Sequence, residues 1–259
     1  MKKTLTLLAA IFAFSVASNA ELSLKNPCAD GMVIQRNADA VIWGFASPGA
    51  SISVTPSWSG RKYRAKADAD GEWKVSVATP DGSFTRHSIR VKGDGGTRTI
   101  SNVLVGEVWY ASGQSNMEMP LRGWPNCQID NQQEHISAPA DSDGVRMFIV
   151  PKDMSYEPVK DADGRWWYSS PSERAEMSAT AYFFAKTLRE TLNVPIGIIN
   201  SSYGGTMLEC WAPKNIAEKW GLPVDEESLA NTPIWDRQTT QFNKMVSPCI
   251  GYTIKGMIW

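Results

Sequence analysis

The feature that most constrains this chain is a change in its hydrophobic patterning near residue 102. Before it, residues 40–45, 51–55, 62–67, 73–77 and 87–92 are short β-prone runs that alternate with turn residues. Between them fall Pro48-Gly49, Ser59-Gly60, Asp70-Gly71, Asp81-Gly82 and Asp94-Gly95-Gly96. Asp-Gly pairs between alternating runs favour hairpins, because both central residues of the preferred turn need positive φ. After it, residues 103–112, 145–150, 195–200 and 254–259 are nearly continuous apolar runs, the pattern of strands buried on both faces of a parallel sheet. Over residues 178–192, Ala181, Phe184, Ala185, Leu188 and Leu192 recur at helical steps, and Asn193 and Pro195 end the run. The patterning predicts a small antiparallel β-sandwich over residues 21–102. An α/β domain over residues 103–259 follows, with its site at the carboxyl ends of parallel strands.

Lys2 and Lys3 precede an apolar run over residues 5–16, and Ser18 and Ala20 supply small residues before a cleavage point. Residues 1–20 therefore read as a signal peptide, and the mature chain is expected in the periplasm or outside the cell. No later run is long and apolar enough to span a bilayer. With 26 basic against 27 acidic residues, the chain offers no charge footprint for nucleic acid or an anionic membrane. The expected partner is a neutral or weakly charged molecule. Eleven Trp residues are many for a chain of this length; most read as core, and indole faces also stack well on sugar rings. Cys28, Cys127, Cys210 and Cys249 permit disulfides in an oxidising compartment, with three pairings open, and their spacing excludes a Cys-x-x-Cys metal or redox motif. No cofactor or metal is expected.

Residues 108–112 run as a strand into Gly113-Gln114-Ser115-Asn116-Met117. A Ser just past a buried strand has an exposed hydroxyl beside backbone amides that can hold an oxyanion; by itself the same arrangement also describes a helix N-cap. Met117 occupies the position at which an α/β-hydrolase elbow carries its second Gly. A second segment, Ser201-Ser202-Tyr203-Gly204-Gly205-Thr206 followed by Glu209-Cys210-Trp211, leaves another buried strand. Its paired glycines allow close approach of backbone to a ligand.

The string Ser112-Gly113-Gln114-Ser115-Asn116-Met117 resembles the first sequence block of the sialate O-acetylesterase and related carbohydrate esterase branch of the SGNH (GDSL-like) hydrolases. The Gly204-Gly205 segment resembles the second block, and Asn26-Pro27 with Gly31-Met32-Val33-Ile34-Gln35 looks like the opening of the β-rich domain that precedes the catalytic domain in that family. The resemblance implies a flavodoxin-like SGNH domain and a carbohydrate O-acetylesterase that works through an acetyl-enzyme on Ser115. It places the oxyanion hole at the amides of Ser115 and of Gly204 or Gly205. Gln114, Asn116, Glu209 and Trp211 would meet the substrate, an O-acetylated sugar, with sialic acid the first guess and plant polysaccharide the second.

A Ser hydroxyl needs a base within hydrogen-bond reach. The family supplies a C-terminal Asp-x-x-His and a third block, Gln-Gly-Glu-Ser-Asn; neither string occurs here, and residues 254–259 look like the strand that leads into that block. His87 falls in the β-rich part and His135 on an expected polar helix, neither at the family position. The resemblance therefore implies a catalytic domain incomplete at its C-terminus and a chain nearly inactive alone. The rival expectation is a non-catalytic carbohydrate-binding protein with an idle Ser115.

Overall fold

Strands β1 (Ser23–Leu24) and β2 (Val33–Gln35) precede the five short runs, which become β3 (Asp39–Phe45), β4 (Ser51–Pro56), β5 (Tyr63–Lys66), β6 (Glu72–Ala78) and β7 (Ser83–Gly93). The continuous runs become β8 (Gly96–Gly113), β9 (Val145–Ile149), β11 (Ile196–Ser202) and β12 (Gly256–Ile258), with a two-residue strand β10 (Trp166–Trp167) between β9 and β11. These come from a computed structural model that describes residues 21–139 and 144–259; the expected signal peptide at residues 1–20 lies outside them. No helix among the described residues is long and apolar enough to cross a membrane.

β1, β3 and β6 form a three-stranded antiparallel sheet. The other nine strands form one sheet, ordered β10-β9-β11-β8-β7-β4-β5, with β2 and β12 also paired to β8. The expected parallel sheet is present as β9, β11, β8 and β12. It is part of a mixed sheet, however, because β10 runs antiparallel on one side and β7, β4 and β5 continue it antiparallel on the other. The cause is β8, whose 18 residues serve both halves.

Just past residue 102, where the patterning changes, β8 passes without leaving the strand from antiparallel pairing with β7, which reaches Val105, to parallel pairing with β2 from Leu104 and with β11 from Glu107. The register with β7 steps from His87↔Val103 to Ile89↔Ile100, which puts one extra residue on β8. Asn102 takes it up with φ 56°, a bulge of the kind that bends and re-aims a strand. The fully buried Arg146 guanidinium on β9 donates to the Asn102 carbonyl at 2.6 Å, to Asn102 Oδ1 at 3.0 Å and to the Gly31 carbonyl at 2.9 Å. One buried cluster runs from Ile42 and Trp73 through Ile52 and Val91 to Phe148 and Ile199, so apolar packing is continuous past the bulge. A buried acceptor left without a donor costs about 1–3 kcal/mol. Arg146→Ala is accordingly expected to lower the urea midpoint clearly, while Ala at Arg98, whose partly exposed guanidinium pairs with Glu21 at the surface, leaves it nearly unchanged.

Two short helices, α1 (Ser115–Glu118) and α2 (Gln132–Ile136), precede β9, and α3 (Pro171–Glu176) precedes α4 (Ala179–Leu192). Ser178 Oγ accepts from Ala181 N–H at 3.1 Å at the start of α4, and Asn193 ends it in the left-handed region at φ 52°. Between these caps α4 lays Ala181, Tyr182 and Ala185 against Ile196 and Ile198 of β11, which fixes the sheet face behind the site.

All four cysteines are free thiols. Burial pushes the Cys28 and Cys249 thiols up to about 12 and Cys210 up to about 11, whereas Cys127 is exposed. Because the thiolate is the reactive form, native protein is expected to take up one equivalent of maleimide and denatured protein four.

Candidate active site

β11 lies parallel to β8 with Ser202 opposite Gly113. Two residues beyond each of these positions stand Gly204 and Ser115, so the two segments singled out in the sequence leave adjacent strands side by side. Gly113 has φ +141°, open to glycine and strained for other residues, and there the chain turns out of β8 into α1. A Cβ placed on Gly204 would lie 3.3 Å from Ser115 Cα and 2.8 Å from Glu118 Oε2, so the absence of a side chain at residue 204 is what lets the turns meet.

The two exits are tied at several points. Tyr203 N–H donates to the Gly113 carbonyl at 3.0 Å, and Gln114 Nε2 donates to the Thr206 carbonyl. Thr206 Oγ1 donates to the Tyr203 carbonyl at 2.7 Å and accepts from Trp211 Nε1 at 2.8 Å. Gly204 N–H donates to Oε2 of Glu118, whose Oε1 takes the Lys152 ammonium at 2.5 Å. Of the two glycines offered as oxyanion donors, Gly204 is thus already engaged. Gly205, at φ +82° with open space around it, is not: neither its amide nor that of Ser115 donates to another group among the described residues.

Gln114, Ser115 and Asn116 are exposed, and with Met117, Thr180 and Trp259 they line a hollow of about 300 Å³. Thr180 Oγ1 holds the Asn116 carbonyl at 2.9 Å, which leaves the Asn116 side chain facing the hollow's rim. Trp211 is buried and meets Trp259 edge to face, with ring centroids 5.7 Å apart, so it backs the wall of the hollow. Glu209 lines neither this hollow nor the next; its carbonyl accepts from Thr239 N–H at 3.1 Å. Toward β9 lies a second cavity of about 370 Å³, whose walls include Glu118, Arg122, Trp124, Lys152, Asn200 and Ser202. Arg122 Nε pairs with Glu176 at 2.6 Å, half exposed.

Among the described residues, no His, Asp or Glu lines the hollow around Ser115. His135 packs edge-on against Phe183 with centroids 4.9 Å apart. His87 stands 3.3 Å from Ser57 Oγ and edge-on to Trp58, and burial lowers its pKa. Glu118 and Lys152 were not singled out in the sequence. A carboxylate one turn after Ser115 was a readable signal for the first; the second is brought in from 34 residues away.

No family model matches the chain. It is 32% identical over 255 residues to the sialate O-acetylesterase of Pongo abelii and 31% identical over 254 residues to that of Homo sapiens, in both cases over 88% of this chain and 46% of the relative. The crystal structure of a novel carbohydrate acetylesterase from Xanthomonas citri matches it with TM-score 0.79 at 37% identity, over 92% of this chain and 51% of that chain. The chain spans about half the length of the curated relatives it matches.

Proposed function

We propose that this chain, a homologue of the sialate O-acetylesterases and of a bacterial carbohydrate acetylesterase, carries the nucleophile half of an exported carbohydrate O-acetylesterase with Ser115 as its nucleophile. The observation that carries the reading is the register of β8 and β11, which sets Ser115 against the Gly204-Gly205 turn at the exits of two neighbouring parallel strands.

In this reading Ser115 Oγ attacks the acetyl carbonyl while a base takes its proton. The carbonyl oxygen gains negative charge where the Ser115 and Gly205 amides are free to donate, the kind of preorganised stabilisation worth about 10² to 10³-fold per donor. The sugar hydroxyl leaves with the proton from the base, and water then releases acetate from Ser115 by the reverse sequence of proton transfers. Among the described residues no His, Asp or Glu lines the hollow around Ser115, and the family resemblance assigns the proton acceptor to an Asp-x-x-His. Sialate esters are the first substrates to try and acetylated polysaccharide the second.

The test is to quench with acid a full-length enzyme that contains this segment while it turns over an aryl acetate, and to locate the acetyl group by peptide mass spectrometry. The expected result is a single acetylated peptide containing Ser115. Acetylation elsewhere, or glycan binding unaffected by Ser115→Ala with no ester turnover from a full-length enzyme, would instead favour a non-catalytic carbohydrate-binding protein.

A further inference from the structure

We infer that Glu118 is a positioning residue, a carboxylate bracket that holds the Tyr203–Gly204 peptide, and through it the Gly205 N–H, against the nucleophile turn. The inference rests on the esterase reading for its consequence in turnover, and on geometry alone for the bracket itself.

Glu118 is three residues after Ser115, in the same single turn of helix, so whatever fixes its carboxylate also fixes the backbone that presents the nucleophile. Oε2 accepts the Gly204 N–H from the exit of β11. A hydrogen bond to an ionised acceptor is roughly twice as strong as one between neutral groups, and this one crosses between elements 86 residues apart. The Gly204 N–H belongs to the peptide plane immediately before the one that bears the Gly205 N–H. Holding the first plane leaves only the Gly204 dihedrals free to swing the second. A Cβ at residue 204 would fall 2.8 Å from the same carboxylate oxygen and 3.3 Å from Ser115 Cα, so a side chain there would displace the Glu118 carboxylate.

Lys152 completes the arrangement. A bare carboxylate beside the point where a substrate oxygen becomes negative would oppose that charge, since like charges repel strongly where solvent is partly excluded. The Lys152 ammonium, 2.5 Å from Oε1 and 5.5 Å above the Tyr203 ring centroid, offsets it. With both oxygens engaged and the side chain lining the neighbouring cavity instead of the Ser115 hollow, Glu118 is placed to orient and not to take the nucleophile's proton.

The experiment combines amide exchange with turnover. In the 259-residue chain, the Gly204 amide is expected to be protected from hydrogen exchange, to stay protected in Glu118→Gln, which keeps an acceptor oxygen, and to lose protection in Glu118→Ala. In a full-length enzyme containing this segment, Glu118→Ala is expected to lower kcat by about 10²-fold with KM little changed, the size of effect that a misplacement of about 1 Å produces, and Glu118→Gln to recover most of it. Unchanged Gly204 exchange in Glu118→Ala would overturn the bracket, and so would unchanged kcat where turnover depends on Ser115. If acetate release survives Ser115→Ala, the esterase reading fails, and the exchange measurement still decides whether Glu118 holds the turn.

Discussion

Replacing Ser115 by Ala in a full-length enzyme that contains this segment is expected to lower kcat for acetate release on the order of 10⁶-fold, the loss that follows removal of a serine nucleophile acting as one unit with its base. The side chain is exposed and at the mouth of the hollow, so the substitution removes no packing and the thermal midpoint should hold. Two neighbouring serines serve as controls because their hydroxyls are structural. Ser112 Oγ donates to the Ser201 carbonyl at 2.7 Å and Ser202 Oγ to Asn200 Oδ1 at 2.9 Å, both buried. Alanine at either position gives up a hydrogen bond worth about 1 kcal/mol and is expected to shift stability more than kcat. If Ser112→Ala or Ser202→Ala abolished turnover while Ser115→Ala spared it, the nucleophile would be misassigned.

What the sequence disclosed about this arrangement follows from what periodicity can report. The period-2 pattern over residues 73–77 located β6 to within a residue at each end, and the helical steps over residues 178–192 located α4 and its end at Asn193, because each pattern records which face is buried. Periodicity does not record partners. Nothing in residues 83–113 indicated that β7 and β8 would join the parallel strands in one sheet, since that depends on β8 pairing antiparallel with β7 as far as Val105 and parallel with β11 from Glu107. β10, at two residues, is too short to carry a period. The candidate site divides the same way. Ser115 and the paired glycines were visible as strand-exit motifs, whereas the engagement of the Gly204 amide by Glu118, which leaves Gly205 as the open donor, depends on a contact that only the assembled sheet creates.

The 259-residue chain alone is expected to release acetate from an aryl acetate barely above background, and a second polypeptide from a full-length relative, carrying Gln-Gly-Glu-Ser-Asn and Asp-x-x-His, is expected to restore turnover by several orders of magnitude. The first half of this expectation comes from the hollow at Ser115, which among the described residues is lined by no His, Asp or Glu; oxyanion donors and binding without a complete triad retain only about 10³ to 10⁴-fold over water. The second half has a physical seat. β12 pairs with β8 on one side and with no other strand among the described residues. Beside it Tyr110, Val246, Ile250, Ile254 and Met257 line an apolar hollow of about 190 Å³, with Ile250 and Met257 more than half exposed. A strand added along β12 with a helix over that hollow would bury this surface and bring its own carboxyl end beside Ser115, where a base is needed. Restoration should saturate with the added polypeptide and disappear with Ser115→Ala, because members of a triad act as a unit. An ordinary rate from the 259-residue chain alone, abolished by His135→Ala, would place the base on α2 and refute the expectation.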